Sequence, residues 1–183
     1  MKRPLMTLRR FAGDRRGVSA IEFALIAPLL ITFYLGMAET TQAMMAKRKA
    51  SHVASAIGDL IAQDQSVTNA EMTDTWTIGN ALLAPFPTSG LLKMRVTSVT
   101  ANSAGVAKVD WSDNSGWTDV ADGSTWTGIP TGLIAAGESL IIAQTTYAYD
   151  SPIKKYVPNT LNFTETYYLR PRKIKTVLRD TVT

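Results

Sequence analysis

Residues 15–38 read RRGVSAIEFALIAPLLITFYLGMA and place one carboxylate, Glu22, near the start of an apolar run. The 21 residues from Val18 to Ala38 carry that single formal charge. At about 1.5 Å of rise per residue, a helix of this length spans a hydrocarbon core of about 30 Å. A carboxylate inside such a helix costs free energy unless it meets a cation, so Glu22 is a candidate functional residue.

Cutting the chain between Gly17 and Val18 would create a cation for this carboxylate. The new α-ammonium group of Val18 would lie four residues before Glu22, which is one helical turn. Gly17 has no side chain and leaves the backbone free to adopt an extended form at such a cut. The spacing therefore makes Gly17 and Val18 candidate processing residues, and makes Val18 and Glu22 a candidate charge pair.

These residues together resemble the class III prepilin signal, in which a basic leader and a glycine precede a glutamate at the fifth position of the mature chain. Phe23 and the Ala-Pro-Leu-Leu run at 27–30 resemble the TadE family of pseudopilins, which are minor subunits of the tight-adherence (Tad or Flp) pilus. The stretches 135–149 and 168–172 are also similar, more loosely, to TadE heads. The resemblance implies three kinds of partner: a prepilin peptidase that cuts after Gly17, other pilin and pseudopilin subunits, and the inner-membrane Tad assembly platform.

The basic character of the chain is concentrated in the leader, residues 1–17. The whole chain carries +4 with a pI of about 9.4, and the leader alone holds six basic residues and one acidic residue, so the remainder is close to −1. This distribution argues against nucleic-acid binding. Because positively charged flanks stay in the cytoplasm, we expect an inner-membrane protein with a cytoplasmic N-terminus and a periplasmic head, which assembly would carry into the surface pilus. The leader's basic cluster consists of Arg9, Arg10, Arg15 and Arg16.

The apolar pattern continues beyond the bilayer with helical spacing. We expect one helix from about Ser19 to Gln63, with a transmembrane half at 18–38 and an amphipathic periplasmic half at 39–65. Pro28 and Gly58 are the two residues that disturb a helix in this range. The expected buried stripe is Ala43, Ala46, Ala50, Val53, Ile57 and Leu60.

Residues 66–183 are expected to form a globular head. A short helix is predicted between Val67 and Phe86, capped by Thr68 or Asn69, stopped by Pro85 and burying Met72, Trp76, Ile78 and Leu82. Alternation with period two then predicts two antiparallel pairs, 92–100 with 105–111 and 139–149 with 161–169. The fold class is therefore α+β and pilin-like, with a long N-terminal helix packed on a small antiparallel sheet and one extra short helix.

Other candidate sites in the head are weaker. Five oxygen-bearing residues crowd one polar segment, but their spacing matches no EF-hand loop, so we favour a solvated turn over a calcium site. Three tryptophans lie in the same region, and we expect them to pack under a long loop rather than to form a binding surface for a partner or a sugar. No catalytic constellation, cofactor motif or cysteine is present in the sequence, so we expect neither an enzyme nor a cofactor. The five oxygen-bearing residues are Asp110, Asp113, Asn114, Asp119 and Asp122.

We therefore expect a TadE-like minor pseudopilin that acts after leader cleavage in Tad pilus assembly, at initiation or at the tip. The alternative is an uncleaved single-pass inner-membrane protein with a periplasmic binding or sensing head. A pseudopilin of a type II secretion system ranks lower, because those proteins usually place Phe after the cut where this chain has Val18.

Overall fold

The computed structural model describes residues 17–154 and 159–180. The long N-terminal helix, small antiparallel sheet and second short helix confirm the predicted α+β, pilin-like fold class. The leader cluster Arg9, Arg10, Arg15 and Arg16 lies outside the described residues. In the described part the elements are α1 (Val18–Ala62), β1 (Ser66–Val67), α2 (Asn69–Leu82), β2 (Leu92–Ala101), β3 (Ala107–Ser115), β4 (Ser139–Tyr149), β5 (Leu161–Leu169) and β6 (Leu178–Arg179).

The chain divides into two compact units, Met1–Thr41 and Gln42–Thr183. Helix α1 runs for 45 residues and contains Pro28 within its length. Its bounds differ by one residue at each end from the predicted ones. In the first unit, the structure describes Gly17 and the first part of α1.

The second unit contains a four-stranded sheet in the order β3-β2-β4-β5, with every neighbouring pair antiparallel. Both predicted strand pairs form. In the tight connection between β2 and β3, Gly105 adopts a φ of +75° and donates its N–H to the Asn102 carbonyl over 2.9 Å. The two central strands, β2 and β4, are not consecutive in the chain, and their pairing joins the two predicted hairpins into one sheet.

One face of the sheet packs against the second half of α1. The buried stripe includes Ala46, Ala50, Val53 and Ile57, as predicted. The prediction is wrong at its last position: Leu60 is 36% exposed, whereas Ile61 is 1% exposed. Residues three and four positions beyond Ile57 both lie beside it on a helix, so spacing alone does not choose between them, and here the packed position is the fourth.

Helix α2 begins with a reciprocal capping box. The Glu71 N–H donates to the Thr68 hydroxyl over 3.3 Å, and the Thr68 N–H donates to the Glu71 carboxylate over 2.8 Å. The two Thr68 donors, backbone first and hydroxyl second, lower the pKa of Glu71. Thr68 is therefore the N-cap, one of the two residues predicted for that role.

The buried side of α2 differs from the predicted one. Met72 is buried and Trp76 and Leu82 pack at its edge, but Ile78 is 42% exposed. Gly79 is buried in its place, close to the Met94 thioether. A residue six positions after Met72 points away from it on a helix, whereas one seven positions after it returns to the same face.

A β-bulge in β3 separates residues that were predicted to share a face. Ser98 pairs with Trp111 and the next residue, Val99, pairs with Val109, so Asp110 is the extra residue. Trp111 therefore joins the core beneath α1, whereas Val109 joins a second cluster on the opposite face. Strict alternation had placed Val109 and Trp111 on one side.

The second face of the sheet is covered by residues from the long β3–β4 connection. Val99, Val109, Leu140 and Ile142 form its buried cluster, and the connection supplies partly buried apolar side chains. The side chains that the connection contributes are Val120, Trp126, Ile129, Leu133 and Ile134. The sheet is thus buried on both sides, which explains the continuous apolar run at 140–143 in β4.

Candidate processing and assembly site

The predicted cleavage point lies at the start of α1. Gly17 immediately precedes the helix, which begins at Val18. Among the described residues, no heavy atom would lie within 4 Å of a Cβ atom built on Gly17. Packing around Gly17 therefore does not require a glycine, so a requirement for one at this position would come from another molecule.

Glu22 is the fifth residue of α1 and is exposed. No acidic residue lies in the first turn of the helix. Residues four apart on a helix have Cβ atoms about 5–6 Å from each other, so Val18 and Glu22 share one face. A charge created at Val18 would lie one turn from the carboxylate.

The apolar part of α1 has no buried residue in its most hydropathic stretch. An 18-residue window of the helix has a mean hydropathy of 2.0 and 0% of it is buried. Among the described residues, α1 is the one helix long and apolar enough to cross a membrane. Exposed apolar surface on this scale marks a membrane or protein contact. Its most exposed side chains include Ile21, Phe23, Leu25, Leu29 and Phe33.

A comparison with known protein families connects this helix to one of them. The model of the TadE-like protein family matches residues 17–59. Over this segment the chain is similar to that family. The match confirms the predicted resemblance over this segment, and the exposed apolar helix is long enough to anchor a protein in a membrane. No curated protein and no solved structure matches the chain significantly.

The TadE-like match begins at Gly17 and ends at Asp59. It therefore includes the candidate residues Gly17, Val18 and Glu22, together with most of the half of α1 that packs on the sheet. The looser similarity of 135–149 and 168–172 to TadE heads lies outside it and stays a prediction.

Four of the five oxygen-bearing residues considered for calcium belong to two hydrogen-bond sets, one around Asp110 and one that joins Asp113, Asn114 and Asp119. Asp110 accepts hydrogen bonds from Ser98 and Thr100 over 3.0 and 2.7 Å. Asp113 pairs with Arg179, and Asn114 donates to Asp119 over 2.8 Å. In the part of the chain that the structure describes, no group of three or more His, Cys, Asp or Glu residues could hold a metal ion. No hydrogen bond in these sets involves Asp122.

Arg179, in the C-terminal segment, is largely buried and connects several elements of the head. Its side chain is 13% exposed, and its guanidinium lies 2.7 Å from Asp113. It also donates to the Val67 carbonyl and to the Asn69 side chain over 3.0 and 2.7 Å. This network fixes the parallel pair β1–β6, in which Val67 pairs with Arg179. These two-residue strands have no sequence signal of their own.

Two tryptophans of the long connection flank Arg95, a residue that the sequence did not single out. The guanidinium carbon lies 4.7 Å from the centroid of Trp117 and 5.7 Å from that of Trp126. The same group donates to Gln144 over 2.6 and 3.1 Å and to the Thr118 carbonyl over 2.9 Å. Burial lowers the pKa of Arg95, and the charge of Asp119 partly counteracts this. The tryptophans therefore hold the connection in place, in agreement with the packing interpretation.

Replacing Arg95 with methionine is expected to destabilise the head by roughly 2 kcal/mol, because hydrogen bonds and cation–π contacts to one guanidinium are lost together. The near-UV circular dichroism of the tryptophans should fall while the far-UV signal is retained. Lys93→Met is the matched control, since Lys93 is an exposed residue on the same strand. An unchanged tryptophan signal in Arg95→Met would contradict the assignment.

Proposed function

We propose that this chain is a minor pseudopilin that is processed by a prepilin peptidase between Gly17 and Val18 and then takes part in assembly of a Tad pilus. The observation that carries the proposal is the TadE-like match over residues 17–59, which starts at the proposed cut. The proposed role is structural and not catalytic. The proposed topology has the leader in the cytoplasm and the head in the periplasm.

The exposure of the apolar half of α1 supports this role. A helix whose large apolar side chains have no partner within the chain must bury them in lipid or against other helices. In a filament, the Val18 ammonium of one subunit and the Glu22 carboxylate of a neighbour would neutralise each other among such helices. A misplaced subunit would lose this pairing between neighbours, so the intersubunit pair would select correct docking.

The size of the head supports a position at initiation or at the tip. Its four-stranded sheet is covered on both faces and carries a long, pinned connection. A domain of this bulk is larger than the small heads expected of subunits that repeat along a thin shaft. We therefore propose that the subunit primes or caps the pilus.

N-terminal sequencing of protein extracted from membranes tests the processing step. The wild-type protein should begin at Val18, whereas Gly17→Leu should keep residues 1–17, because a large side chain would block the peptidase cleft. The fold of the described residues should be unaffected, since none of their heavy atoms lies within 4 Å of a Cβ built on Gly17. Gly13→Leu is the matched control and should be cut normally. An intact Met1 in wild-type protein from a peptidase-competent cell would favour the uncleaved single-pass alternative.

A further inference from the structure

A surface cavity of about 370 Å³ lies between α1 and strand β5 in the second unit. Its lining is formed by about two turns of α1 and one residue of β5. A hydrogen bond of 2.8 Å between the Ser51 and Tyr167 hydroxyls joins the helix to the strand at this point. The lining residues are Met44, Lys47, Arg48, Ser51 and Glu165.

The side chains that line this cavity carry more positive than negative charge. Lys47 and Arg48 are exposed cations, and Glu165 is the one carboxylate of the lining. Within the described residues, neither Lys47 nor Arg48 lies within 4.0 Å of a carboxylate oxygen, whereas Lys154, Arg170, Arg172, Lys173 and Arg179 all do. The cavity therefore carries a net positive charge and suits an anionic ligand.

The cavity is close in sequence to the apolar segment of α1. Lys47 and Arg48 follow Ala38 by nine and ten residues, which is roughly 14 Å along a helix. Each headgroup layer of a bilayer is about 5–8 Å thick. Helical side chains lean towards the N-terminus, and the long stems of Lys and Arg extend further in that direction, which carries both charges back towards the headgroups.

The order of groups along the helix matches the order of groups in a phospholipid. Met44, which is 53% exposed, precedes the two cations by about one turn on the side of the apolar segment. A phospholipid likewise carries its phosphate above an apolar glycerol–acyl region. An acidic protein surface would match the cations but not the exposed methionine beneath them.

We propose that this cavity binds the headgroup phosphate of an anionic phospholipid in the leaflet from which α1 emerges. Lys47 and Arg48 hold the phosphate, Met44 contacts the glycerol–acyl region, and Glu165 limits the affinity by its like charge. The contact fixes the height of the head above the membrane. The proposal requires α1 to lie in a membrane, but requires neither leader cleavage nor pilus assembly.

Native mass spectrometry of the full chain in mild detergent tests the proposal, with phosphatidylglycerol and phosphatidylcholine of identical acyl chains as probes. The wild-type protein should bind phosphatidylglycerol roughly tenfold more tightly than phosphatidylcholine, because two cations of the cavity attract the anionic headgroup and one carboxylate opposes them. Lys47→Gln/Arg48→Gln should lose most of this preference. Glu165→Gln should increase it, since the competing carboxylate is removed.

Lys108→Gln/Lys173→Gln is the matched control, because it changes the net charge equally at two exposed residues that do not line the cavity. The leader arginines are identical in all variants, so differences between variants report on the cavity alone. The proposal would be overturned if Lys47→Gln/Arg48→Gln kept the wild-type preference for phosphatidylglycerol, or if the control variant lost as much of that preference. Unchanged lipid preference with weaker cross-linking to another subunit would assign the cations to an acidic protein partner and also overturn it.

Discussion

Glu22→Ala is expected to be cut after Gly17 like the wild-type protein and yet to reduce the number of assembled pili at least tenfold. The substitution removes the partner of the Val18 ammonium in the proposed filament. Removing one member of a buried ion pair costs roughly 3–5 kcal/mol, because the remaining charge is left unpaired. Each 1.4 kcal/mol is about a factor of ten in an equilibrium, so the effect on subunit docking is large.

Immunoblotting for the mature chain and electron microscopy of sheared pili measure the two outcomes separately. Glu22→Gln keeps the shape of the side chain and removes the charge, so it should resemble Glu22→Ala. Thr32→Ala is the control, because it removes a polar group from the same segment without changing charge. Wild-type pilus numbers in Glu22→Gln would rule out charge pairing as the reason for the glutamate.

Gly58→Ala is expected to destabilise the head, although alanine favours a helix by about 1 kcal/mol over glycine. A Cβ at this position would lie 2.5 Å from Leu169 Cδ1 and 2.8 Å from the Ala143 Cβ. Ala143 is fully buried in β4 and has no rotamer to change, so the helix must move away from the sheet. Overpacking of this kind costs about 1–3 kcal/mol, and Gly58→Leu should cost more.

Thermal denaturation of the full chain in detergent measures this cost, at about 2–4 °C per kcal/mol for a chain of this size. Gly58→Ala/Leu169→Ala should be more stable than the sum of the single changes predicts, since Leu169 is one of the two groups that the new methyl meets. Gly79→Ala is an informative comparison. Its nearest neighbour is the Met94 thioether, a flexible group that can move, so its cost should be smaller. A higher melting temperature in Gly58→Ala would contradict the packing argument.

The close packing at Gly58 could not be predicted from the sequence. From the chain alone it is a helix interior glycine with a modest cost. The structure explains why a glycine is needed, because α1 can approach Ala143 of β4 closely only where the helix has no side chain. Arg95 is a similar case: its position in an alternating strand predicts a solvent-facing side chain, and only the folded connection brings Trp117 and Trp126 to it.

The sequence predicted more of the geometry of the candidate N-terminal site than of the contacts in the head. Gly17, Val18 and Glu22 are close in the chain, and a single helix fixes their spacing, so the local pattern contains their geometry. The hydrogen bonds of Asp110 depend on β2 and the ion pair of Asp113 depends on the C-terminal segment, and no local pattern predicts either of them.

Sequence alone determined the features that depend on local periodicity: the extent of α1, the apolar segment 18–38, the four long strands and their pairing into hairpins. Tertiary structure alone decided the order β3-β2-β4-β5, the bulge at Asp110, the choice of Ile61 over Leu60 and the covering of the second sheet face. The physical reason is the range of the interactions. Helix and hairpin formation is governed by neighbours in the chain, whereas β2–β4 pairing and helix-to-sheet packing join residues that only the complete fold brings together.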